Sequence, residues 1–269
     1  MINPKLATKI KHENIKLHNE RAKIYDKIAL HLRPENQRMY NNDIDLISRI
    51  RKGDALDVGA GTGNISLKLL KRGYKVTAID ISKKMLEILK KKAKKNKNLK
   101  IVSEDIDSYL LNTKKKFDLI TFCSVLHHFP YYLKTLENSI KLLKKGGIIY
   151  IVDEPITRRD IKIKLIDTIN FLIDNLIRTI KHPIRVIKII FQEIRRAIFK
   201  DKAYSNMRLA EFHARHGLNE NRIKSILKRA NIKFIVFKKY NSYPFKITKY
   251  LANLLNCKNS LKIIGQKLR

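Results

Sequence analysis

The chain has 269 residues, 44% of them hydrophobic, and carries a formal net charge of +35 from 59 Lys and Arg against 24 Asp and Glu. That apolar content excludes an intrinsically disordered chain, and the 2 cysteines exclude a disulfide scaffold. No apolar run reaches the roughly 18 residues of a membrane span, because Lys, Arg, Asp or Asn interrupts each one.

In chain order, residues 12–32 predict a helix, with Ile15, Leu17, Ala22, Tyr25, Ile28, Ala29 and Leu32 recurring at three- and four-residue spacing. Pro34 ends it, and a second helix is expected over 36–50. From Asp54 the pattern becomes strand–helix alternation. Strands are expected at 55–58, 75–80, 99–103, 117–123 and 147–152. Helices are expected at 64–71, from the cap Ser82 to about 95, and at 131–143. Strands separated by helices of this length, joined by right-handed crossovers, make a doubly wound parallel α/β sheet. After Glu154-Pro155 the regularity breaks into amphipathic helices at 161–180 and 184–199, a helix at 219–230, and strands at 232–237 and 261–266. The expected organisation is an N-terminal helical cap (1–50), a nucleotide-binding core (51–155), a helical insertion or lid (156–218) and a segment completing the sheet (219–269). Low cysteine use and the lack of a targeting segment predict a cytoplasmic location.

The strongest chemical signal is Ala55-Leu-Asp-Val-Gly-Ala-Gly-Thr-Gly63, directly before an amphipathic helix. A strand ending at Asp57 delivers the chain to a turn of Gly59, Gly61 and Gly63, where a ligand can lie against bare backbone. Asp80 closes the next strand, where a carboxylate accepts both hydroxyls of a ribose. The third strand ends in Ser103-Glu-Asp-Ile106, an acidic and an apolar residue suited to an adenine amine and its ring. These features mean a nucleoside-containing ligand. The third glycine comes one residue too early for the dinucleotide pattern, and Asp57 would repel a pyrophosphate but attract an amino or sulfonium group. S-adenosyl-L-methionine is therefore favoured over a nicotinamide dinucleotide.

With these motifs the chain resembles the class I S-adenosylmethionine-dependent methyltransferases of the small-molecule subgroup. The resemblance rests on Leu56–Gly63, Ala78-Ile-Asp80, Glu104-Asp-Ile106, the run from Phe117 to Phe129, and Leu143-Lys-Lys-Gly-Gly-Ile-Ile149. Tyr25-Asp26 resembles the Tyr-Asp pair that these enzymes carry before the core. The resemblance implies a Rossmann-like, mostly parallel seven-stranded sheet whose final strand is antiparallel, with a helical insertion after the fifth strand and an unusual helical insert at 246–256. It further implies that Gly59, Ala60, Gly61 and Gly63 hold the methionine portion, Asp80 and Ile81 the ribose side, and Asp105 and Ile106 the adenine. Cys123 would line the methyl-donor pocket, and Tyr25 would contact the cofactor.

The acceptor should lie beside His127 and His128, after the fourth strand, where a neutral imidazole can take the proton of a hydroxyl acceptor. Glu154, at the end of the fifth strand, and His213 and His216, three apart on one helix face, are candidate substrate contacts. The two histidines lack further ligands for a metal, and none is expected. The 184–199 segment has an apolar face opposite Arg185, Lys188, Arg195 and Arg196, which suits an anionic membrane interface or a packed cap. The positive charge, densest over 203–269, reflects a Lys-rich composition bias or an anionic partner. The expected function is methyl transfer to a small-molecule or lipid- or quinone-like acceptor, O-methylation ahead of N or C. RNA methylation and a non-catalytic binding module are the alternatives. Against RNA stands Cys123-Ser-Val-Leu-His-His128, where base-methylating enzymes of this fold carry Asp/Asn-Pro-Pro-Tyr.

Overall fold

Asn3-Pro4 is a helix-start signal, a capping side chain followed by a residue whose fixed φ suits the first turn. Helix α1 (Pro4–Arg21) starts there in the computed structural model, which describes residues 2–29, 32–156, 161–181, 209, 212–213, 217–243 and 245–268. The Asn3 side chain accepts from Leu6 N at 2.8 Å. The single helix expected over 12–32 is thus corrected: α1 gives way to a 3-10 turn (Ala22–Ile24), then the short α2 (Tyr25–Ile28) and α3 (Pro34–Ile50).

The core then alternates β1 (Asp54–Val58), α4 (Asn64–Lys71), β2 (Lys75–Asp80), α5 (Lys83–Lys92), β3 (Leu99–Ser103), α6 (Ile106–Asn112), β4 (Phe117–Cys123), α7 (Tyr132–Lys141) and β5 (Leu143–Pro155). Helix α6, to which the sequence pattern assigned no element, starts where Asp105 caps the amides of Asp107 and Ser108. β5 begins at Leu143, ahead of the strand expected over 147–152, and runs through Gly146-Gly147. After it come α8 (Ile161–Lys181), α9 (Glu220–Arg229), β6 (Ile232–Tyr240), α10 (Lys246–Leu254) and β7 (Ser260–Lys267).

The seven strands lie in the order β3-β2-β1-β4-β5-β7-β6, parallel except for β7, which is antiparallel to both neighbours. The central strands read as apolar runs because both faces are covered. On one face Leu56, Val58, Ile120 and Phe122 pack with Leu136 of α7 and Ile223 and Leu227 of α9. On the other, Ala55, Leu119 and Tyr150 pack with Ile44 and Ile47 of α3 and Ile65 and Leu69 of α4. The chain winds outward from β1 in both directions, so the sheet reverses between β1 and β4. Outside the carboxyl ends of strands at such a reversal a crevice opens, and ligands of open α/β sheets bind there.

Candidate functional site

The crevice is a cleft whose floor is the glycine turn. Gly59 has φ +66°, and a Cβ on it would stand 2.1 Å from Val125 Cγ2. Gly61 has φ +52°, and a Cβ there would meet no atom within 4 Å, so this glycine leaves backbone bare on the cleft side. Asp80 is held from two directions: Oδ2 accepts from Gly61 N and Oδ1 from Ser82 N, each at 2.8 Å. An ionised carboxylate has about four acceptor positions. Acceptor capacity is therefore left over on a cleft-lining side chain that backbone amides hold in place. Burial raises the Asp80 pKa, against the backbone amides that lower it.

Asp57 lines the same floor and is held by two hydroxyls. Ser66 Oγ donates to its Oδ2 at 2.6 Å and Thr121 Oγ1 to its Oδ1 at 2.7 Å. It ties β1 to α4 and β4, and burial pushes its pKa up to about 6.

Ile81, Asp105 and Ile106 form the wall at the β2 and β3 ends, and Cys123, Val125 and His128 the wall at the β4 end. Asp105 Oδ1 caps α6 and also accepts from Lys11 Nζ at 2.9 Å. Tyr25 reaches the cleft because its neighbour Asp26 is pinned to the glycine turn: Thr62 Oγ1 donates to Asp26 Oδ1 at 2.6 Å, and Lys92 holds the other oxygen. Burial raises the Cys123 thiol pKa well above its ordinary value, keeping it neutral.

The structure thus brings Tyr25, Asp57, Gly59, Ala60, Gly61, Asp80, Ile81, Asp105, Ile106, Cys123 and His128 around one cleft. Four expected residues lie elsewhere. Gly63 sits one step behind the lining as the N-cap of α4, at φ +94°. His127 is buried behind the wall with its Nδ1 2.9 Å from Glu154 Oε2. Glu154 is fully buried and accepts the backbone amides of Val125, Leu126 and His127 at 2.7, 2.9 and 3.2 Å. It faces its own chain, because the β4–α7 loop folds over the end of β5 and presents three amides to it. His213 packs on Tyr132, and its Nε2 lies 3.2 Å from Pro130 O, at the rim. His216 and residues 184–199 fall outside the described residues. Among the described residues no His, Cys, Asp and Glu group is arranged to hold a metal, and no helix is long and apolar enough to cross a membrane.

What the sequence reading missed is the roof. Lys11, Asn14 and His18 of α1 share one face and line the cleft. His18 Nδ1 lies 2.9 Å from Asn14 O, which as a carbonyl accepts, so Nε2 is the lone-pair nitrogen of the neutral ring. His18 meets the His128 ring edge-on at 5.1 Å. The residues present fit an adenosyl sulfonium ligand: a bare backbone bend, a fixed carboxylate with open acceptor positions, and apolar Ile81 and Ile106 for a flat ring.

Residues 56–151 match the family described as Methyltransferase domain. The ubiquinone biosynthesis O-methyltransferase of Pelagibacter ubique is 42% identical over 96 residues, 36% of this chain and 40% of that protein. The demethylmenaquinone methyltransferase of Staphylococcus aureus is 33% identical over 132 residues, 48% of this chain and 54% of that protein. The chain therefore spans about half or less of these relatives. Among solved structures, N-methyltransferase NodS of Bradyrhizobium japonicum with S-adenosyl-L-homocysteine superposes with a TM-score of 0.58 at 15% identity, over 96% of this chain and 100% of that one. Magnesium protoporphyrin IX methyltransferase of Synechocystis with bound S-adenosylmethionine gives 0.57 at 13% identity, over 99% and 98%. At these identities the structures speak for the fold.

Proposed function

From a chain that carries a class I S-adenosylmethionine-dependent methyltransferase domain, we propose an enzyme that methylates a small, flat phenol- or quinone-like acceptor, on oxygen. The observation behind this reading is that the glycine turn, Asp80 and Asp105-Ile106, on three consecutive strand ends, line one cleft with His128 on its opposite wall. The two quinone-pathway names among the relatives support the acceptor class.

When bound, the donor supplies a methyl carbon activated by a sulfonium. The protein's part is placement and proton handling. Gly61 leaves room for the ligand to lie on backbone, Asp80 accepts ribose hydroxyls, and Ile81 and Ile106 flank the base. The neutral thiol of Cys123 and the side chain of Val125 keep the β4 end of the cleft dry, where alignment contributes most to the rate. His128, backed by the His18 ring, takes the proton that a hydroxyl acceptor loses as its oxygen is methylated. His127 supports it from behind: its Nδ1–H on Glu154 fixes the loop that carries His128.

The test is turnover of a methyl-labelled donor on a cell extract, followed by mass spectrometry and NMR of whatever gains a CH₂. A labelled phenolic ether is expected, and a product methylated on carbon or nitrogen would overturn the O-methylation reading. On that substrate His128→Gln should lower kcat about a hundredfold and leave S-adenosylhomocysteine affinity unchanged. An unaltered kcat would remove His128 from the proton step.

A further inference from the structure

Among the described residues just two buried side-chain polar atoms have no hydrogen-bond partner, Asn14 Oδ1 and Asn64 Nδ2, and both residues line the cleft. A buried unpaired group of this kind costs roughly 1–3 kcal/mol, so two in one cleft mark places where something else completes the bond.

The partners each amide already has fix which of its ends is open. Asn14 is 5% exposed, and its Nδ2 donates to Ile10 O at 3.0 Å and His128 O at 3.4 Å. The unpaired atom is therefore the carbonyl oxygen, an acceptor. It sits one helical turn after Lys11, which is bound to Asp105, on the side where the base is expected. Asn64 is the reverse case. Its Oδ1 accepts from Lys68 Nζ at 2.8 Å, so the atom left open is the amide nitrogen, a donor. It opens α4 just beyond the glycine turn. Its partner Lys68 also donates to Gln37 Oε1 at 2.6 Å and Asn64 O at 3.1 Å, all of them neutral oxygens. Asn64, Lys68 and Lys71 line a recess that shares Thr62 and Asn64 with the cleft.

We propose that the two asparagines read opposite ends of the donor: Asn14 Oδ1 accepts from the adenine amine, and Asn64 Nδ2, beside the Lys68 ammonium, donates to the amino-acid carboxylate. This rests on the donor reading above and adds the residues that recognise its ends. Asp105 has one oxygen occupied by Lys11 and the α6 cap, which leaves room for a second acceptor at the amine. The carboxylate in turn supplies the anionic acceptor that Lys68 lacks among its hydrogen-bond partners.

Calorimetric titration of the full-length protein with three probes tests it: S-adenosylhomocysteine, its 6-deamino analogue with hydrogen for the amine, and 5′-deoxy-5′-methylthioadenosine, which lacks the amino acid. Asn14→Leu is expected to weaken S-adenosylhomocysteine and methylthioadenosine about tenfold and to leave the 6-deamino analogue unchanged. Asn64→Leu is expected to weaken S-adenosylhomocysteine and the 6-deamino analogue by a similar factor and to spare methylthioadenosine. Should a leucine variant fail to fold, the unmodified protein carries the test. Removal of the amine weakens binding about tenfold, and the side-chain amide ¹⁵N signal of Asn64 shifts with S-adenosylhomocysteine but not with methylthioadenosine. Equal weakening of all three probes, or indifference to the amine and an unmoved Asn64 signal, overturns the assignment while leaving the donor reading intact. A wild-type protein that binds none of the probes defeats both.

Discussion

The floor and the roof of the cleft are built on different physical terms. On the floor, carboxylates bind their own chain: Asp57 holds two hydroxyls, and Glu154, below the β4 wall, holds three backbone amides and a ring nitrogen. On the roof, α1 is tied down by Lys11 to Asp105 and Asp107 at 2.9 and 3.1 Å, with side chains 23–29% exposed, and it leaves a buried acceptor open. A saturated, buried network fixes geometry before a ligand arrives. The Lys11 ion pairs, partly exposed, add less to stability than such a network. The sheet edge is preorganised, and the helix above it adds an open acceptor.

The floor should be the costlier side to damage. Glu154→Ala strands three backbone amides and the His127 ring in a fully buried place, and a loss of about 4 kcal/mol is expected from urea denaturation. A loss under about 1 kcal/mol would show that water replaces the carboxylate, and the contrast would fail there.

Asp57 gives the next effect, and its sign is fixed by its raised pKa. The folded state holds this proton more tightly than the unfolded chain. Its contribution is fully present below about pH 4 and is lost as pH rises through about 6. The span is worth on the order of 3 kcal/mol. Asp57→Asn should remove this fall, so the stability difference between wild type and variant changes between pH 4.5 and 7. Parallel profiles would mean that Ser66 and Thr121 offset the burial in full.

The smallest equilibrium effect belongs to the roof. Lys11→Met should cost about 0.5 kcal/mol of stability, yet raise the dissociation rate of S-adenosylhomocysteine severalfold in stopped flow. A large stability loss would make α1 part of the rigid frame.

These two regions also divide what the sequence makes legible. The parallel strands announce themselves as apolar runs, and the glycine turn, Asp80 and Asp105-Ile106 are local signals within a few residues of a strand end. The roof has no such signature. Its buried stripe is Ala7, Ile10, Asn14 and Leu17, with a polar residue in a core position, so periodicity alone passes over it. The Asn3-Pro4 start lies upstream of the apolar spacing that defined the expected helix. Lys11 and Asp105 stand 94 residues apart and meet only in three dimensions. Glu154 looked like a substrate contact because it ends a strand at the ligand edge. Its actual partners, three amides of the β4–α7 loop, are set by tertiary packing.

The account stands on Asp80 as the residue that grips an adenosyl ligand, and equilibrium titration of S-adenosylhomocysteine into wild type and Asp80→Ala is its most direct test. Saturable one-to-one binding by the wild type is expected, weakened by about a hundredfold or more in a variant whose circular dichroism is unchanged. Equal affinity in the two proteins, or no saturable binding by the wild type, would contradict it.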